Sequence, residues 1–306
     1  MSLSNLSTFM LDSKIKNHLN ECSLSDFNSV LAPIVKKIKL EYRQGTNPDI
    51  ILTYCINITN ELESNIKYYN SFEIAKLLSI QSQMLLAIGA SKELLDQALN
   101  YINESIEICY KINEFTLDIN KELVKSTLIL AVVLKALGDY DAAFKTISEN
   151  SSILLNKRGI SKLELIPLQR QEIMMTQSDA GHKKLLSEVI NYKDLAPVEY
   201  YSTLKRVFEF SMNKNMYDVA EKLIPLLKDS FKLIKNELPI LSHISFLKNI
   251  AMYYLTTNEF EYGVSLLEAL LIKSSDLSMI GQVNQIKALL EQHKDGKRID
   301  LMTYKL

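Results

Sequence analysis

The sequence ALGDYDAAFKTIS, at residues 136–148, recurs in altered form as NKNMYDVAEKLIPL at residues 213–226 and as TTNEFEYGVSLL at residues 256–267. Each segment has a small or polar turn residue, then an aromatic residue, a small residue three positions later and an aliphatic residue four positions further on. The aligned residues are Gly138, Tyr140, Ala143 and Ile147; Asn215, Tyr217, Ala220 and Ile224; and Asn258, Phe260, Gly263 and Leu267.

This spacing has a mechanical interpretation as a helix–turn–helix unit. A small residue lets the two helices of a hairpin approach closely. The aromatic residue fills the space beside the turn, and the aliphatic residue packs against the next unit. The same spacing also fits the ordinary core pattern of a buried helix, which is the alternative interpretation.

The rest of the chain also has a helical pattern. Only 8 Gly and 6 Pro occur in 306 residues, too few for the many turns that strands need. Apolar residues recur at spacings of three and four, most clearly at Leu130, Leu134 and Leu137. We predict an all-α fold with helices at about residues 8–20, 25–43, 49–69, 71–89, 91–111, 116–137, 139–156, 161–176, 181–192, 197–212, 216–236, 239–256, 259–273 and 278–293. The short turns predict antiparallel helical hairpins and, over many of them, an α-solenoid.

The segment around residue 138 resembles the tetratricopeptide repeat (TPR) family, whose helix–turn–helix unit is about 34 residues long. The resemblance rests on Leu130, Ala131, Leu134, Gly138, Tyr140 and Ala143. The chain departs from the family in having no Trp and no closing Pro, and in turns at Asn215 and Asn258 that are 43 residues apart (258 − 215). The resemblance implies a TPR-like right-handed superhelix. Divergent helical hairpins are expected at residues 1–90, TPR-like repeats continuous with them at 91–294, and a tail at 295–306.

Composition and charge narrow the class of protein. Hydrophobic residues make up 47% of the chain, and 35 Lys and Arg balance 36 Asp and Glu, so a continuous core is expected and a general polyanion binder is not. The chain starts without a secretion signal and has no stretch of about eighteen uncharged apolar residues. We therefore expect a cytoplasmic protein with neither a membrane nor a nucleic acid as its partner.

No group of residues has the spacing of a catalytic or metal-binding motif. Each histidine lacks a second one three or four residues away, as a helical zinc site needs. We interpret them as surface or locally hydrogen-bonded side chains: His18, His182, His243 and His293. The cysteines lack zinc-site spacing and are interpreted as small buried side chains: Cys22, Cys55 and Cys109. The chain also lacks a glycine-rich phosphate loop. We expect a protein that is not an enzyme and needs no cofactor or metal.

The TPR resemblance also implies a groove, because in that family the first helix of each hairpin lines a concave surface. The positions that resemble the inward-facing ones are Lys205, Arg206 and Glu209 in one repeat and Lys248, Asn249 and Met252 in the next. Cations supply charge and an amide fixes geometry, so this set suits a peptide carboxylate or an acidic side chain. Lys205 and Asn249 resemble part of the carboxylate clamp of some family members, whereas Glu209 stands where a second Asn is expected. A solvated helical face is the alternative interpretation.

The function expected from these features is a scaffold or adaptor that binds a protein or peptide on a helical-repeat surface. In the repeat around residue 138 the inward positions resemble Leu128 and Val132, which suggests an apolar contact there. A peptide-sensing regulator and a structural subunit of a permanent complex are the alternatives. Self-association belongs to the last of these, because the first predicted helix carries apolar residues that need a cover: Phe9, Met10, Leu11 and Ile15.

Overall fold

The computed structural model describes residues 24–294 except 64–68, 90, 113–115, 159, 177, 258 and 277–279. These residues form thirteen α-helices and one short 3-10 helix and contain no strand, which confirms the all-α prediction. The predicted helix at residues 8–20, the tail at residues 295–306 and the turn residue Asn258 lie outside the described residues. No helix of the described part is both long and apolar enough to cross a membrane.

The helices follow one another with short connections. Their bounds are α1 Leu24–Arg43, α2 Pro48–Glu63, α3 Phe72–Ile88, α4 Lys92–Lys111, α5 Leu117–Ala136, α6 Tyr140–Arg158, α7 Lys162–Thr176, α8 Asp179–Val189, α9 Pro197–Asn213, α10 Tyr217–Ile234, α11 Ile240–Thr256, α12 Phe260–Asp276 and α13 Ile280–Lys294. The 3-10 helix spans Ile190–Tyr192 and follows α8 directly. Except at the end of α2, the predicted helix ends differ from these bounds by at most three residues.

The described chain divides into two compact units, one with residues 24–42 and 48–175 and one with residues 43–47 and 176–294. In the first unit, each of the helices α2 to α5 packs on the helix that follows it, and α3 also contacts α5. In the second unit, α8 packs on α9, α9 on α10, α11 on α12 and α12 on α13, and α9 also contacts α11. Helices α3 and α4, which lie before and after residue 90, pack on each other. The boundary expected there, between divergent hairpins and TPR-like repeats, stays a prediction.

The turns after α5 and α9 have the same backbone structure. Gly138 has a φ of 88° and Asn215 a φ of 56°, the left-handed conformation in which many helices end. Two backbone hydrogen bonds close each turn, from Gly138 to Lys135 and Asp139 to Leu134 in the first, and from Asn215 to Met212 and Met216 to Ser211 in the second. Every member of the first turn is matched by the residue 77 positions later (215 − 138). The two segments aligned in the sequence are therefore also equivalent in backbone structure.

The small residues of the three aligned segments lie where helices meet closely. Ala143 and Ala220 are completely buried. At Gly263, an added Cβ atom would lie 2.9 Å from Leu255 Cγ and 3.0 Å from the carbonyl oxygen of Ala251, closer than close-packed atoms allow. Helix α12 therefore approaches α11 at a distance that requires glycine.

The aromatic residues of the same segments are placed differently from the prediction. Tyr140 is 53% exposed and Phe260 is 41% exposed, so neither fills the space beside its turn. Tyr217 is half-buried, and its hydroxyl donates to Asn215 Oδ1 at 2.9 Å. Each aromatic residue is the first of its helix, and side chains of a helix lean toward its N-terminus. The ring therefore projects beyond the helix end.

Helix starts are of two kinds, with a side-chain cap or with a proline, and the second unit has both, since Ser178 caps α8 by accepting a hydrogen bond from the Gly181 amide at 3.0 Å. In the first unit, Ser71, Ser91 and Thr116 each accept a hydrogen bond from the backbone amide three residues later, at 3.4, 3.4 and 3.3 Å. In the second unit, α9 begins at Pro197 and α11 begins after Pro239, and neither start has a side-chain cap. Proline suits a helix start because its missing N–H would have had no partner there.

Candidate partner-binding site

Helices α9 and α11 of the second unit contact each other and carry the six residues that the sequence predicts for a groove. Lys205, Arg206 and Glu209 lie on α9, and Lys248, Asn249 and Met252 lie on α11. Within each set, spacings of three and four residues place side chains on neighbouring positions of the helix surface. The structure brings four of them together directly: Lys205, Arg206, Glu209 and Asn249.

Glu209 is the centre of this arrangement. Its Oε1 atom accepts a hydrogen bond from Asn249 Nδ2 at 2.6 Å and lies 3.7 Å from Lys205 Nζ. Its Oε2 atom lies 3.3 Å from Arg206 Nη1. Hydrogen bonds to an ionised group are stronger than neutral ones, so Glu209 joins α9 to α11.

Two lysines extend the arrangement beyond Glu209. Lys205 Nζ donates to Ser245 Oγ at 2.8 Å, and Lys248 Nζ donates to Gln285 Oε1 of α13, also at 2.8 Å. Burial, followed by the charge of Lys205, lowers the pKa of Lys248, and Glu209 acts in the opposite direction. We use the name basic cluster for these five residues: Lys205, Arg206, Glu209, Lys248 and Asn249.

The basic cluster is largely covered by the protein. The side chains of Lys205 and Arg206 are 20% and 15% exposed, and Lys248 and Asn249 are 5% and 4% exposed. Lys205 and Arg206 pair with Glu209, whereas Lys248 donates to the neutral oxygen of Gln285. A buried charge without a counter-charge is costly, so the Lys248 ammonium group favours an anionic partner.

Met252 lies in the hydrophobic core. It is 6% exposed and belongs to a core cluster with Ile244 and Leu255 of α11 and Leu267 of α12. Residues 248–253 of α11 are all buried. The spacing of residues along α11 therefore does not show which of them face a groove and which face the core. Met252 therefore contributes to the packing of the core of the second unit.

Tyr201 is a neighbour of the basic cluster that sequence reasoning missed. It lies one turn before Lys205 and two turns before Glu209 on α9, and it is 2% exposed. Burial, followed by the charge of Glu209, raises its pKa. Its hydroxyl has no hydrogen-bond partner among the described residues. Tyr201 lies four residues before Lys205 and eight before Glu209, and this spacing places the three side chains on one helix face. A tyrosine at such a position is more often only a core residue, so the spacing alone did not identify it.

His182 also lies nearby, on α8. It is 2% exposed, its ring stacks on Phe210 with centroids 3.9 Å apart, and its Nδ1 atom lies 2.8 Å from the carbonyl oxygen of Ser178. Burial lowers its pKa, and the charge of Arg206 acts in the same direction. The sequence interpretation of a locally bonded histidine matches this contact, whereas a surface position does not.

The remaining expectations concern metal, thiol and apolar contacts. Within the part of the chain that the structure describes, no group of three or more His, Cys, Asp or Glu side chains is placed to hold a metal ion. Cys55 and Cys109 are buried, and burial raises the pKa of the Cys55 thiol. Cys22 lies outside the described residues. Leu128 is half-buried and Val132 is 42% exposed.

Comparison with known proteins adds no relative to this description. No model of a known protein family matches the chain, and no curated protein matches it either. The function is therefore argued from the basic cluster and the helices that carry it.

Proposed function

We propose that this chain is a non-enzymatic scaffold that binds an acidic segment of a partner protein or peptide at the basic cluster. The observation that carries the proposal is the group of three largely covered cations on α9 and α11, of which Lys248 is 5% exposed and donates to a neutral oxygen. Lysine and arginine recognise a carboxylate by charge and by hydrogen bonding, and the Asn249 amide adds direction.

A helical-repeat array is the architecture that we propose for this scaffold. Three observations support it: the equal turns at Gly138 and Asn215, the buried small residues that follow them, and the contacts between alternate helices, α3 with α5 and α9 with α11. In an array of antiparallel hairpins, alternate helices lie side by side and present one continuous surface. A right-handed superhelix is the form that the TPR resemblance implies.

The donors of the basic cluster have capacity for an incoming carboxylate. An ammonium group has three N–H donors, and Lys205 and Lys248 each use one on a neutral oxygen, that of Ser245 or Gln285. An ionised acceptor binds such a donor more strongly than a neutral one does. A carboxylate of the partner would therefore be a stronger acceptor for these two lysines than Ser245 or Gln285.

Two peptide libraries that differ only in their C-terminal group, carboxylate or amide, test this proposal. We expect the chain to select peptides with a free carboxylate or acidic side chains, and salt to weaken this binding. The variant Lys205→Met with Lys248→Met keeps the apolar stems and removes both charges. We expect it to bind the selected peptides at least about tenfold more weakly, which corresponds to about 1.4 kcal/mol.

The matched control is Lys222→Met with Lys232→Met, which removes two exposed lysines of α10. This control should bind like the wild type, and circular dichroism should show the same helix content for all three proteins. Equal selection of acid and amide peptides without acidic side chains, or full binding by the folded Lys205 and Lys248 variant, would remove the basic cluster as the site.

A further inference from the structure

A recess lies in the second unit between the start of α9 and the end of α10. Its volume is about 250 Å³, and its lining includes Tyr200 of α9 and Leu233 and Ile234 of α10. Tyr200 and Ile234 are 5% and 1% exposed, so they form an apolar interior. An apolar cavity of about 150 Å³ already accommodates a benzene-sized group, so this recess has room for a leucine side chain.

Two leucines beside the recess are the most exposed large apolar side chains of the described chain. Leu195 is 76% exposed and Leu233 is 74% exposed. Leu233 lines the recess, and Leu195 directly follows Asp194, which also lines it. A single exposed leucine needs no explanation, but two of them beside an apolar recess make a patch with both a projecting side chain and a place to receive one.

The rim of the recess carries charges of both signs. Lys193, Asp194 and Glu237 line it and are exposed. A two-fold interface uses the same patch on both copies, so it requires a patch that is complementary to itself in shape and in charge. This patch meets both requirements, because its projecting leucine matches its recess and its lysine matches its carboxylates.

We propose that two copies of this chain associate through this patch. Leu195 of each copy enters the recess of the other beside Leu233, and Lys193 of each copy faces Glu237 of the other. A stable interface commonly uses about 20–30 residues on each partner, whereas eight residues line this recess. The dimer is therefore weak and depends on concentration. It uses no residue of the basic cluster and does not depend on the proposed function.

Sedimentation of the full chain tests this association, from about 1 to about 200 µM. We expect the average mass to rise with concentration from 35.0 kDa toward twice that value. Leu195→Asp places a charge at the apolar contact and should weaken association at least tenfold. The matched control is Ile272→Asp on α12, where the side chain is 66% exposed and far in sequence from the patch. It should associate like the wild type.

A charge exchange tests the pairing independently of the apolar contact. Lys193→Glu alone and Glu237→Lys alone each place like charges opposite one another and should weaken the dimer, whereas the two together should restore it. Both substituted positions are exposed, so all three variants should keep the helix content of the wild type. A constant monomer mass, wild-type association by Leu195→Asp, or a double variant no stronger than its weaker parent would each overturn the proposal.

Discussion

In the first unit, three lysines pair with two buried glutamates, whereas in the second unit the buried Lys248 donates to a neutral amide. Glu122 of α5 is 5% exposed and lies 3.6 Å from Lys39 Nζ and 3.5 Å from Lys125 Nζ. Glu73 of α3, also 5% exposed, pairs with Lys76. Burial alone would raise the pKa of Glu122, but Lys125 and Lys39 together lower it.

The two groups of charges differ in what their lysines bond to. In the first unit, charges on α1, α3 and α5 are nearly compensated by one another, so their main effect is to join helices. In the second unit, Glu209 serves Lys205, Arg206 and Asn249, while Lys248 relies on a neutral amide. We therefore expect changes in the first group to act mainly on stability and changes in the second mainly on binding.

The largest effect on stability is expected from Glu122→Gln. It removes the negative charge that Lys39 and Lys125 share. Breaking a fully buried pair costs about 3–5 kcal/mol, but these two lysines are 36% and 30% exposed and partly solvated, so we expect a loss of about 2 kcal/mol. Urea unfolding followed by circular dichroism measures it.

The control for this change is Glu107→Gln. Glu107 pairs with Lys111 on the surface of α4, where the two side chains are 65% and 60% exposed. Such a pair contributes less than about 0.5 kcal/mol. If Glu122→Gln cost no more than Glu107→Gln, the first group of charges would not join its helices.

The repeat segments and the helix faces were predictable from the sequence because both follow local spacing. Gly138 and Asn215 were aligned by residue type alone, and their turns have the same hydrogen bonds. The distance between helices is not local. The burial of Met252 and the approach of Tyr201 to Glu209 depend on how α9, α11 and α12 pack, so the sequence alone did not indicate them. The recess beside Leu233 forms between two helices and has no signal in either.

A smaller effect is expected from the side-chain caps of the helices. Ser91→Ala removes the oxygen that accepts the Leu94 amide at the start of α4, and should cost about 1 kcal/mol. The matched control is Ser275→Ala in α12, where the hydroxyl bonds only to the Leu271 carbonyl within the helix and contributes little. Hydrogen exchange at the first turn of α4 should rise in Ser91→Ala and stay unchanged in the control. Equal exchange in both would show that the cap does not hold this helix end.

The smallest expected effect is a loss of stability of the second unit in acid, through His182. Burial lowers the pKa of His182, and the charge of Arg206 acts in the same direction, while the Ser178 carbonyl and Asp179 partly oppose them. The unfolded chain therefore takes up the proton at a higher pH than the folded chain does. The stability that His182 contributes is complete above its ordinary pKa of about 6.5 and declines as the pH falls below that value.

Urea unfolding at about pH 7.5 and about pH 5.5 measures this decline, and His182→Gln removes the titrating group. We expect the difference in unfolding free energy between the two pH values to be smaller in the variant than in the wild type. The loss of the ring stack on Phe210 lowers stability equally at both pH values, so it does not enter that difference. An unchanged difference would assign the acid sensitivity to other groups. It would also mean that a further positive charge beside Arg206 costs the second unit little.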